Sequence, residues 1–141
     1  MNRRRLTLVG LIVVVGVGAA GIVGVRRHRT SDAAVPPDVR APTGVRVRVQ
    51  VLNGTKIHGL ARRATMLLRD RGFDVVETRT VNEAHDTTLV LDLSGHPEWA
   101  RLVARLFQTP RIEGRPDSSR YLDIAVVLGS TWRPPTEPFY P

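Results

Sequence analysis

Asn53-Gly54-Thr55-Lys56, with His58 two residues on, is the run in this chain best suited to hold a ligand. Gly54 lets the backbone turn sharply, and free N–H groups where a strand hands over to a helix can cradle an anion. Lys56 and His58 would add positive charge. Arg46 and Arg48 are a second candidate pair, because alternation puts them on the polar face of the preceding strand, where they could meet phosphate or carboxylate groups. Against both stands the plain structural reading, in which Asn53 and Gly54 supply turn conformations and the arginines are solvated. Asn53-Gly54-Thr55 also fits the N-glycosylation pattern, but it lies in a tight loop with nothing else in support.

Other chemistries find little to work with. The chain has 141 residues and no cysteine, so disulfides and thiolate metal sites are excluded. Its four histidines, His28, His58, His85 and His96, show no ligand spacing, and we expect no metal and no cofactor. Asp92 and Asp123 read as solvated alternates of two strands. No local motif joins His58 to a serine and an aspartate as a hydrolase would need, so we expect no enzyme activity.

The net charge of +8 suggests nucleic acid at first sight. Six of the 21 basic residues (Arg3, Arg4, Arg5, Arg26, Arg27 and Arg29) flank one apolar segment. The remaining chain holds 15 basic against 13 acidic residues, a net of +2. That is too little for a phosphate-backbone footprint, and no nucleic acid is expected as a partner.

The apolar segment, residues 6–25, carries no charge over 20 positions. As a helix it would span about 30 Å, the thickness of a bilayer's hydrocarbon core. Val17-Gly18-Ala19 could end a cleaved signal peptide, yet the run continues through Ile22, Val23 and Val25, which favours an uncleaved signal anchor. Gly16-Val17-Gly18-Ala19-Ala20-Gly21 matches a dinucleotide fingerprint, but mid-membrane it has neither the strand nor the helix the motif requires. The small-residue spacing Gly16, Ala20, Gly24 is ordinary for a membrane helix. With residues 1–5 basic and short, we expect a single pass in the cytoplasmic membrane, N-terminus inside and the C-terminal domain extracytoplasmic.

Residues 26–44 contain prolines 36, 37 and 42 and read as a tether. The domain follows at 45–132, and 133–141, with four prolines, reads as a loose tail. Within the domain, Val45, Val47, Val49 and Val51 alternate with polar residues in a half-buried strand. A helix from His58 or Gly59 to Arg71 has Leu60, Ala61, Ala64, Leu67 and Leu68 on one stripe, with Gly72 placed for a left-handed cap. Strands follow at 73–78 and 87–93, then a helix from Pro97 to Phe107 with His96 or Ser94 near its cap. The segment 109–120 reads as loop with room for a short edge strand at 111–114. The last strand, 121–129, is apolar enough to lie centrally. The expected fold is α/β (α+β), a two-layer sandwich of βαββαβ order with one four-stranded sheet and both helices on one face, behind a single transmembrane helix.

From Val51-Leu52-Asn53-Gly54-Thr55 through Gly59-Leu60-Ala61, Leu67-Leu68 and Gly72-Phe73-Asp74-Val75, the chain resembles the LytR/CpsA/Psr C-terminal domain family. Leu89-Val90-Leu91 and Val126-Val127-Leu128-Gly129 extend the resemblance, which covers about 45–132. Lys56-Ile57-His58 departs from the small residue usual after that threonine. The resemblance implies an extracytoplasmic envelope module that binds a wall glycopolymer or a partner protein. The phosphotransferase domain of larger relatives has no room here. Two alternatives remain open: a peptidoglycan-binding domain of the sporulation-related-repeat type, which has the same element order, and a membrane-tethered cytosolic nucleic-acid-binding regulator.

Overall fold

The valine alternation produces the expected strand, but three residues later than the pattern begins, leaving Val45 outside it and exposed. In a computed structural model that describes residues 35–117 and 121–136, β1 runs Arg48–Asn53 with every second side chain buried. Gly59 then takes φ +76°, which delays α1 to Leu60–Asp70. Leu60, Ala61, Ala64, Leu67 and Leu68 are its buried stripe, as their spacing requires. Gly72 closes the helix at φ +83°, and the N–H of Phe73 reaches back to the Leu68 carbonyl. The chain continues through β2, Asp74–Thr80, and β3, Leu89–Asp92, to α2, Pro97–Ala104, β4, Arg111–Gly114, and β5, Ile124–Leu128.

The sheet has five strands rather than four, in the order β2-β1-β5-β3-β4. The added strand is the short edge at 111–114, which pairs parallel with β3. Its sequence, Arg-Ile-Glu-Gly, has one apolar residue and three exposed positions, so backbone pairing rather than burial makes it a strand. Two parallel units result, β1-α1-β2 and β3-α2-β4. β5 lies between them, parallel to β1 and antiparallel to β3. Its five residues are all buried, Ile124, Val126 and Leu128 in the helix-side core and Ala125 and Val127 on the other face beside apolar neighbours of β1 and β3.

Both helices pack on the valine face. Val49, Val51, Val90, Ile124, Val126 and Leu128 of the sheet share one core with Leu60, Ala64 and Leu68 of α1 and Ala100 and Val103 of α2. Trp132, 1% exposed, seals the end of this core against Phe107, with ring centroids 5.1 Å apart. The opposite face is not uniformly polar. Register places Leu52, Ala125, Val127, Leu89 and Leu91 side by side there, between Arg48 and Gln50 on one flank and Arg111 and Glu113 on the other. Among the described residues, no helix is long and apolar enough to cross a membrane, and the segment 6–25 lies outside them.

Candidate functional site

The loop after β1 is built by its own side chains. Asn53 is buried, and its Oδ1 accepts the Thr55 N–H at 3.1 Å and the Thr55 hydroxyl at 2.8 Å. Its Nδ2 donates to the Ile57 carbonyl at 3.1 Å, and the Thr55 hydroxyl in turn accepts the Ile57 N–H at 3.0 Å. The Gly54 N–H donates to the Leu128 carbonyl at 3.1 Å. Three of the N–H groups an anion would need, those of Gly54, Thr55 and Ile57, are therefore engaged inside the protein. Gly54 is required by contact, since a Cβ there would meet His85 Cδ2 at 2.8 Å and the Leu128 oxygen at 3.0 Å. Asn53, Gly54 and Thr55 hold the loop together, while Lys56, Ile57 and His58 stand exposed at its apex.

Arg46 and Arg48 do not join this loop. Arg48 opens β1, about 17 Å along the strand from Asn53, and Arg46 lies two residues before it, both on the face opposite Asn53. Both are matched by carboxylates. Arg46 Nε lies 2.6 Å from Asp74 Oδ2, and Arg48 Nε lies 3.1 Å from Asp123 Oδ2. Asp123 Oδ2 also accepts the Arg48 backbone N–H at 2.7 Å, and Oδ1 accepts Nη2 at 3.2 Å. The Asp123 carboxylate holds Arg48 protonated even more firmly than usual. A hollow of about 460 Å³ opens beside this pair, lined by Arg48, Asp123, Leu93, Ser94, Pro116, Asp117 and Leu122.

The alternation misplaces two acids. Asp92 and Asp123, expected in solvent, are 5% and 7% exposed. Asp92 Oδ1 accepts the N–H groups of Ser94, Gly95 and His96 at 3.2, 2.9 and 3.1 Å. It thus performs the capping expected of His96 or Ser94: His96 is the N-cap residue of α2 but makes no side-chain cap bond. Its ring instead stacks on Trp99 at 3.9 Å. Among the described residues, no group of three or more acidic or histidine side chains gathers as a metal would require.

A groove beside the loop apex joins the candidate His58 to residues that sequence reasoning passed over. Ile57, His58, Leu60 and Arg63 line a shallow groove of about 280 Å³ with Trp132, Arg133 and Pro134. Arg133 is anchored, its N–H donating to Gln108 Oε1 and its Nη1 to the Ser130 carbonyl. The one available signal was Trp132 itself, a large apolar residue directly before a stretch read as loose tail.

These features define a two-layer α/β domain whose most distinctive loop is a structural lock. The family model described as LytR cell envelope-related transcriptional attenuator matches residues 46–132, and the chain belongs to that family. The resemblance carried by Leu52-Asn53-Gly54-Thr55 and Gly59-Leu60-Ala61 is thereby established over the expected range. No curated protein matches the chain. Among solved structures, the chain is similar to the solution structure of the C-terminal domain of RV0431, with 26% identity, 64% of this chain and 77% of that chain covered, and a TM-score of 0.38.

Proposed function

We propose that this protein is a non-catalytic module of the cell envelope, held on the outer side of the cytoplasmic membrane by residues 6–25, where it binds a wall polymer or an envelope partner protein. The observation that carries this reading is the family match over 46–132, a family described by its cell-envelope relation. An uncharged 20-residue segment of membrane-spanning length, residues 6–25, precedes the matched region across a proline-containing tether. The ion pairing supports it against the nucleic-acid alternative, since Arg46 and Arg48 are answered by Asp74 and Asp123 and present little free charge to a phosphate backbone.

Two measurements test it. A reporter fused after Pro141 should be active outside the cytoplasm, and activity confined to the cytoplasm would overturn the placement. Detergent-solubilised full chain should sediment with purified cell wall at low salt and be released at high salt. Absence of retention at low salt would remove the polymer and leave a protein partner as the ligand.

A further inference from the structure

We propose that the exposed turn Lys56-Ile57-His58, with Arg62 and Arg63 of α1, docks the domain on anionic lipid headgroups of the bilayer that holds its anchor. The inference rests on the anchored reading above and adds which side of the domain meets the membrane.

Charge is distributed unevenly over the domain. On the helix-free face and along the sheet edges, arginines are matched by acids: Arg46 by Asp74, Arg48 by Asp123, Arg79 by Glu77, and Arg111 and Arg115 by Glu113. Arg105 meets Asp38, and Arg69, Arg71 and Arg133 donate to backbone carbonyls. Among the described residues, the cations left without such a partner are Arg40, Lys56, Arg62, Arg63 and Arg101. Three of these five fall within eight positions, 56–63.

The same spot exposes apolar surface that the domain does not use. Ile57 is 43% exposed between Lys56 and His58, and Met66 is 42% exposed one turn beyond Arg62 and Arg63 on α1. Ile57 is not simply loose. Its N–H and its carbonyl are both held, by Thr55 and Asn53, so the turn presents the side chain outward in a fixed attitude. An apolar wedge ringed by cations complements a bilayer surface, with headgroup phosphates outside and acyl chains beneath. Sugar polymers are a poorer match, because the one large aromatic lining the adjoining groove, Trp132, is buried and offers no ring face for stacking.

The tether keeps this side near the membrane. Val35 and Pro36 line a depression with Trp132 and Arg133, the two residues that also line the groove at Ile57 and Arg63. The chain therefore joins the domain beside the cationic turn. Nine residues, 26–34, separate it from the apolar segment and can span at most about 30 Å.

The chain has no cysteine, so a single His58→Cys label reports on the turn alone. We expect full-length protein labelled there with an environment-sensitive dye to float with neutral and with anionic vesicles. The dye should leave water only on the anionic ones, and high salt should reverse the change. A dye at Arg79→Cys on β2 should not respond. Combining Lys56→Gln, Arg62→Gln and Arg63→Gln should lower the docked-to-undocked ratio on the order of a hundredfold. Flotation with both vesicles and no difference at position 58 would overturn the docking and leave the anchor standing. No flotation with either would overturn the anchor and the docking together. Shielding of the dye by soluble anionic wall polymer, without response to lipid, would give this surface to the polymer and overturn the proposal.

Discussion

Asp92 shows how much one carboxylate can hold. It sits at the last position of β3, and its Oδ1 gathers three N–H groups from the turn that starts α2. Asp92→Ala would orphan those donors and should destabilise the domain by about 1–3 kcal/mol, read as a lower urea midpoint. Asp92→Asn keeps an acceptor oxygen and should lose less. The glycines separate two effects in the same way. At Gly129 a Cβ would lie 2.3 Å from the Thr87 carbonyl carbon and 2.5 Å from the Asp86 oxygen, both backbone atoms that cannot swing aside. Gly129→Ala should cost about 3 kcal/mol or more. Gly59 has open space around it and only its φ of +76° to defend, so Gly59→Ala should cost about 1 kcal/mol. Thermal unfolding of the two variants compares contact with conformation directly.

At the scale of elements, the segment 35–41 straps the helical layer. Arg105 Nη2 lies 2.9 Å from Asp38 Oδ2, Arg71 Nη1 donates to the Pro36 carbonyl, and the Ala41 N–H donates to the Arg71 carbonyl. The Arg105 guanidinium, aided by a backbone hydrogen bond, holds the Asp38 carboxyl below its ordinary value of 3.8. Because the folded state lowers this pKa, its contribution is complete above the ordinary carboxylate range and is lost as pH falls through and below it. Hydrogen exchange at Val39 and Ala41, corrected for intrinsic rates, should therefore quicken in acid. In Asp38→Asn that acid step should be missing, and added salt should weaken the link because both partners are exposed. The elements were legible where one face is buried: the valine alternation gave β1, the Leu60 stripe gave α1, and the apolar run at 121–129 gave a central β5. β4 was faint, because an edge strand with one apolar residue leaves almost no pattern. Asp92 and Asp123 were misread because period-two alternation names a face but not what flanks it. Their burial depends on a turn, and on an arginine 75 residues away, that alternation does not encode. The seven candidate site residues divided for the same reason, since sequence proximity along β1 concealed a change of face and of end.

At the scale of the molecule, the design is two strand-helix-strand units that, among the described residues, are joined in the sheet through β5. β1 and β3 do not pair with one another, and each pairs with β5. A chain ended after Gly114 should keep helical signal but lose cooperative unfolding and most amide protection, whereas one ended after Thr136 should retain both. If the shorter chain unfolds cooperatively, the two units dock without their shared strand. The position of β5 also has a meaning in time. The innermost strand of the sheet is the last to be synthesised, so during biosynthesis both units wait with one bare edge each, in the register that Ile124–Leu128 will later occupy. Until it arrives, that gap accepts any strand of similar pattern, and the most abundant such strand is the one on a neighbouring nascent copy. Exchange of β5 between copies is thus the characteristic misassembly to which this chain order is exposed.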